Sequence, residues 1–242
     1  MLSTFWNAVF YQPFYNALIV GIAFLPNGDF GLVVIVITII IKLILFPLNQ
    51  KAIEGQIKMN SVQGEVNAIK QRVTDKVEQN KQIFALYKEK NISPFSSCLP
   101  LLVQAVVLIA LYRAFLGVLG DITPAALYSF AQQPASINLN FLGLIDLSAK
   151  HSIIFALLVG GTQFVQAKLM QGRQSKPTGD GMQAQFARNM QLQMLYGLPI
   201  MTAGLSYFLF PSAVALYWIT SNIFTIGQEL YTKRKFKVEK EA

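Results

Sequence analysis

Lys42 stands inside the apolar run VVIVITIIIKLILFPL, residues 33–48, and is the one charge in it. A lysine at the centre of a membrane helix costs roughly 2.5–3.5 kcal/mol on insertion scales, so its ammonium calls for water, a partner or a route to the interface. Thr38 lies one turn earlier on the same helical face. Two readings are open: Lys42 faces a wet cavity that an acidic guest visits, or it snorkels from an ordinary span to the nearer surface. Asn49, Gln50 and Lys51 mark that surface, about 10–13 Å away at ~1.5 Å per residue. Other apolar runs hold neutral polar groups, among them Gln104, Thr162, Gln163, Gln166, Thr220, Ser221, Asn222 and Gln228. Gln163 and Gln166 share a face and line a wet surface on the first reading. On the second, such groups only join helices, at roughly 0.6 kcal/mol each. Gln104 and Asn222 read as joints of that kind. Trp218, beside Tyr217, falls about 10 Å into a run that starts at Pro211. That is deep for an interfacial anchor and favours a groove or a packing contact.

These residues need membrane helices to hold them. The 242 residues are 53% hydrophobic and 13% charged, against about 25% charged in ordinary globular proteins. A polytopic, all-α membrane protein follows. Spans are expected at 30–50, 96–115, 152–170, 192–210 and 211–228, each near the ~20 residues that cross a bilayer. Residues 1–29 mix aromatics with Pro13, Asn16 and the Pro26-Asn27-Gly28 turn, which suits an interfacial helix better than a sixth span. Residues 51–91 carry mixed charges around an apolar seam of Val62, Val66, Ile69 and Val73, then Val77, Phe84 and Tyr87. That pattern predicts a helical hairpin off the membrane, with its turn at Thr74-Asp75. A nucleic-acid arm would be more purely basic, so no direct nucleic-acid partner is expected, whereas the net charge of +8 suits anionic lipids. Residues 116–151 and 171–191 read as loops, and 229–242 as a basic tail.

Lys and Arg cluster in the hairpin, the 171–191 loop and the tail, while residues 1–41 hold none. The positive-inside rule then places the N-terminus outside and the C-terminus in the cytoplasm. No Asp, Glu or His falls inside the five runs, which argues against a proton relay. A lone Cys98 and a lone His151 offer neither an internal disulfide nor a metal-ligand set. No GxxxxGK[ST] loop is present, so neither a cofactor nor nucleotide-driven enzyme chemistry is expected. Residues 1–20 lack the positive n-region of a secretory signal, so Met1 is expected near the mature start.

Five stretches, in order, resemble the YidC/Oxa family of membrane protein insertases. They are TIIIKLILFPLNQKA, NISPFSSCLPLLVQAVVLIALY, LIDLSAKHSIIFALLVGGTQFVQAKLM, LPIM at 198–201 and PSAVALYWITSNIFTIGQE. The resemblance covers about residues 11–231. It implies five helices around a hydrophilic groove open to cytoplasm and lipid, with Lys42 in the place of the family's groove cation. Lys keeps the charge of the more frequent Arg but lacks its bidentate fork. Thr38, Trp218 and Gln166 fall at groove or substrate-contact positions by the same resemblance, and spans three and five at the slide a nascent helix follows into lipid. The hairpin is implied to serve substrate capture and targeting partners. Two departures stand out: Ala213 replaces a usual Gly, and the large extracytoplasmic domain of many Gram-negative members is absent from the sequence. The tail is also short beside the ribosome-binding tails of some relatives.

The expected function is therefore insertion and folding of newly made membrane proteins in the bacterial cytoplasmic membrane. Nascent membrane proteins are the implied substrates, and the Sec translocon, ribosome and signal-recognition machinery the implied partners. A small-solute transporter is the first alternative, and it predicts internal repeats that the spans do not display. A structural translocon subunit is the second, and it would make Lys42 replaceable.

Overall fold

Each apolar run forms a helix, and the breaks fall where the sequence supplies a cap or a proline. The computed structural model describes residues 2–93, 99–120, 126–132, 134, 136–171 and 182–241. The N-terminal helix is α1 (Leu2–Trp6), a π-helical stretch (Asn7–Tyr11) and α2 (Gln12–Phe24). The helix runs on without a break from the π stretch into α2: Gln12 N–H donates to the Asn7 carbonyl five residues back, and Pro13, which has no N–H to give, follows directly behind that widened turn. After the 3-10 turn Pro26–Gly28, with Asn27 and Gly28 at positive φ, α3 (Phe30–Ile44) begins. Asp29 caps it, its Oδ1 accepting from the N–H groups of Gly31 and Leu32 at 2.8 and 3.2 Å.

The first expected span, 30–50, is not one straight helix. It breaks at Leu45, and α4 (Phe46–Ser61) continues at 57° to α3. Pro47 lies in the first turn of α4. Having no N–H, it leaves the Leu43 carbonyl without an i+4 donor, while Leu45 N–H still donates to the Ile41 carbonyl at 2.9 Å. Two further helices, α5 (Gln63–Arg72) and α6 (Lys76–Glu89), complete the hairpin. Asp75 caps α6 through the N–H groups of Val77 and Glu78, so the turn falls at Thr74-Asp75.

The remaining elements are α7 (Leu99–Leu119), a short antiparallel ribbon of β1 (Asn140–Phe141) and β2 (Ile145–Asp146), α8 (Ile153–Gln171), α9 (Met182–Leu192), a π-helical stretch (Gln193–Gly197), α10 (Leu198–Phe208) and α11 (Ser212–Glu241). Residues 182–191, read from sequence as loop, are helical and run into α10 through the π stretch. Their spacing of Phe186 and Met190 with polar neighbours suffices for a helix, and the glycine-bearing QGRQSKPTGDG hid it. The turn signals at Asp121, Pro124 and residues 172–181, and the Ser96-Ser97-Cys98 entry to the second expected span, lie outside the described residues.

Among the described residues, α7 over Leu102–Leu119 and α8 over Ile153–Gln171 are each long and apolar enough to cross a bilayer, and bent α3–α4 makes a third candidate. The polar groups that α11 carries between Tyr217 and Gln228 lower its hydropathy below that of α7 and α8. The second half of the expected 192–210 span is the 11-residue α10, about 16 Å long at ~1.5 Å per residue.

One apolar core joins α2, α3, α7, α8 and α11. Tyr15, Leu18, Phe30, Val34, Leu111, Phe115, Val159, Val214 and Tyr217 are all buried in it. Phe30 meets Phe115 edge to face, ring centroids 5.6 Å apart. Glycine lets α8 and α10 approach: a Cβ on Gly160 would come within 3.1 Å of the Ala203 Cβ. A separate cluster of Val62, Val66, Leu86 and Ile92 holds the hairpin together. Exposed ion pairs on it, Lys81–Glu78 at 3.9 Å and Lys90–Glu65 at 3.7 Å, add little.

At the end where α3, α8 and α11 begin, the α7–α8 loop is stitched to the helices. Asn16 on α2 donates to the Ala126 carbonyl at 2.9 Å and accepts from Tyr128 N–H at 2.7 Å. Phe30 N–H donates to the Asn138 carbonyl, and Asn138 N–H to that of Gly28. Ser212 donates to the Ala149 carbonyl through both its N–H and its hydroxyl, and Ala213 N–H donates to Leu147. On the exposed loop, the Ser148 hydroxyl and N–H hold the Asp146 carboxyl below the usual carboxylate range.

Candidate functional site: a buried ammonium among neutral acceptors

Lys42 sits in the last turn of α3, with only 6% of its surface exposed. It has not snorkelled along its own helix to the surface. Its Nζ donates to Gln104 Oε1 on α7 at 3.1 Å and to Thr225 Oγ1 on α11 at 3.1 Å. Both acceptors are uncharged, so the positive charge is solvated by dipoles and not neutralised. An ammonium has three donors, and these two bonds use two of them.

The acceptors are themselves held. Gln104 Nε2 donates to the Tyr217 hydroxyl at 2.6 Å and, more weakly, to Ser221 Oγ at 3.4 Å. The Thr225 hydroxyl donates to the Ser221 carbonyl at 2.9 Å, which turns a lone pair toward Lys42. Tyr217, Ser221 and Thr225 recur every four residues and so form one stripe of α11. The stripe continues past the site: Gln228 Nε2 donates to the Phe46 carbonyl at 3.0 Å and the Thr232 hydroxyl to Gln50 at 3.1 Å. On the neighbouring face, Asn222 donates to the Thr162 hydroxyl of α8 at 3.0 Å. Through these residues α11 is tied to α7, α3, α4 and α8.

Of the residues singled out from sequence, Lys42 and Tyr217 belong to this cluster, the second through Gln104. Thr38 is buried one turn from Lys42, but its hydroxyl donates to the Val34 carbonyl of its own helix at 2.6 Å. Gln163 and Gln166 are half-buried on α8. The buried Oε1 of Gln166 has no hydrogen-bond partner among the described residues, which leaves an acceptor for water or a guest. Trp218 packs on Phe210 with ring centroids 6.3 Å apart, and Phe210 meets Tyr112 edge to face at 5.2 Å. The aromatic position therefore adjoins Tyr217 in sequence and faces a different neighbour.

Gln104, Ser221 and Thr225 complete the cluster around Lys42, and reading the sequence does not select them. Gln104 was open to view as the polar residue in an apolar run, but the sequence read it as a helix joint. It does join helices, and it does so on the ammonium. Among the described residues no group of three or more His, Cys, Asp or Glu side chains could hold a metal ion. What the arrangement can do chemically is present a fixed positive charge, inside an apolar helix bundle, to a carboxylate.

The chain is similar to known proteins over most of its length. The family model described as 60Kd inner membrane protein matches residues 23–240. The membrane protein insertase YidC of Clostridium tetani is 36% identical over 210 residues, covering 86% of this chain and 84% of that one. The YidC insertase of Oceanobacillus iheyensis is 30% identical over 241 residues, covering 97% and 86%. That of Geobacter sp. strain M21 is 30% identical over 228 residues, which are 93% of this chain and 37% of the longer relative. The crystal structure of an active YidC insertase with its first transmembrane domain resolved shares the fold, with a TM-score of 0.50 at 21% identity over 83% of this chain and 41% of that one. With one family model spanning residues 23–240 and relatives matched across most of both chains, the chain belongs to the 60Kd inner membrane protein family, the family of these YidC insertases.

Proposed function

We propose that this protein inserts newly made membrane proteins into the bilayer and helps them fold. The observation that carries the reading is Lys42, a buried ammonium whose two acceptors are both neutral. A fixed positive charge with no acidic partner among the described residues attracts an acidic residue in a substrate's short tail. In a low-dielectric site that attraction is stronger than in water. The polar stripe of α11 that Tyr217 begins, with Thr38, Gln163, Gln166 and Trp218, makes a groove in which a polar tail travels part-way across. Burial of the substrate's apolar helix in lipid then drives release, at about 25 cal/mol per Å².

Five spans cross the membrane in this reading: the bent α3–α4 unit, α7, α8, α9–α10 and α11. The basic hairpin and tail lie in the cytoplasm and the stitched loop outside. The hairpin receives the nascent chain from the ribosome, the signal-recognition machinery or the Sec translocon, and its lysines meet anionic lipid.

The test is insertion of a small acidic-tailed substrate into vesicles holding wild type, Lys42→Arg or Lys42→Ala. Arginine is expected to retain activity and alanine to lose at least tenfold, the ratio that ~1.4 kcal/mol carries. Equal insertion by Lys42→Ala rejects the electrostatic step. No insertion even by wild type favours a structural subunit of a translocon.

A further inference from the structure

We propose that Gln104 is the internal stand-in for the guest: its Oε1 holds the place on the Lys42 ammonium that an arriving carboxylate takes. It thereby sets how strongly the site prefers an acidic tail over a neutral one. The inference rests on the insertase reading above and adds a specificity-determining residue to it.

The geometry gives Gln104 one orientation. Its amide nitrogen donates to the Tyr217 hydroxyl at 2.6 Å and faces Ser221 Oγ at 3.4 Å. The amide oxygen is thereby turned to Lys42 Nζ, 3.1 Å away. Flipping the amide would point its N–H groups at an ammonium that can only donate. Tyr217 and Ser221 thus position Gln104 as an acceptor, and Thr225, its own proton given to the Ser221 carbonyl, is a second.

Two neutral acceptors take two of the buried ammonium's three donors while no guest is bound, which an empty apolar pocket would not do. A carboxylate makes the stronger, charge-assisted bond and displaces a neutral amide. Exchange costs Gln104 Oε1 its bond to Lys42, while the amide N–H groups keep their partners on α11. A glutamate at 104 would close a permanent ion pair with Lys42, and the guest would have to break it. A leucine would remove the competitor and leave the charge.

The experiment measures insertion into vesicles of one substrate with an acidic tail and of its Asp→Asn counterpart, and reports the ratio for wild type, Gln104→Glu and Gln104→Leu. Wild type is expected to prefer the acidic tail roughly fivefold or more, the low end of ordinary coupling between two bound groups. Gln104→Glu is expected to bring the ratio to about one, and Gln104→Leu to keep or raise it. A residue that merely joins helices would change both tails by the same factor in both variants, and that result overturns the inference. So does a Gln104→Glu variant that keeps the wild-type ratio. A wild type without any preference overturns the electrostatic reading itself, and this inference falls with it.

Discussion

Asp29 Oδ2 accepts a hydrogen bond from the Leu142 N–H, 2.9 Å away, while its Oδ1 caps the first turn of α3. One carboxylate therefore serves both a helix start and a loop 113 residues further along the chain. The loop needs it: Leu142 and Gly143 both have positive φ, at 52° and 72°, a region that Leu rarely adopts without outside support.

Asp29→Ala should lower stability by about 1–3 kcal/mol, since it removes a helix cap and leaves the Leu142 N–H unpaired. Thermal unfolding in detergent measures the loss. Limited proteolysis should at the same time show faster cleavage between residues 138 and 147. Unchanged cleavage there would mean that the loop is held by its other stitches alone.

Gly31 lies in the first turn of α3 with the Phe141 ring against it, so that an added Cβ would collide with the ring. Gly31→Ala is expected to cost about 1–3 kcal/mol through overpacking. Phe141→Ala opens the space. The double variant should then be less damaged than the sum of the singles by at least ~0.5 kcal/mol, read from a double-mutant cycle of unfolding titrations. Simple additivity would show that the loop yields instead of the helix.

The hairpin cluster of Val62, Val66, Leu86 and Ile92 shares no residue with the core around Tyr15 and Tyr217. Leu86→Ala should cost about 2 kcal/mol, the lower end for leucine truncation, because a small cluster relaxes around the gap. Amide hydrogen exchange should accelerate over α5 and α6, and protection over α3 and α11 should hold. Loss of protection in both would show that the two units unfold together.

The helices and the key charge could be read from the sequence because both are local signals. A single ammonium in a run of Val, Ile and Leu stands out whatever the rest of the chain does, and Lys42 is where the structure gathers its polar cluster. Thr74-Asp75 likewise announces a turn by its own chemistry, whereas a reading of 30–50 as one span misses the bend at Leu45. Facing relationships could not be read. Gln104 and Thr225 lie 62 and 183 residues from Lys42, and no spacing rule relates helices that meet only in the folded bundle. Trp218 shows the same limit: next to Tyr217 in sequence, it points to Phe210 while Tyr217 points to Gln104. Residues 182–191 were lost to a different cause, since a glycine-bearing approach masked a helix that starts behind it.

The stitches at the loop end also fix an order of events during synthesis. Ser212 bonds to the Ala149 carbonyl made 63 residues earlier, and Ala213 to that of Leu147. At ~5–20 residues per second, the ribosome needs roughly 3–13 s to cover that interval. α3 and α7 precede that interval and α8 is made within it, so the loop waits for its last anchor until α11 arrives. A chain stalled before residue 212 has every earlier helix and an unsealed face, so the quality of the finished product is decided by its final helix.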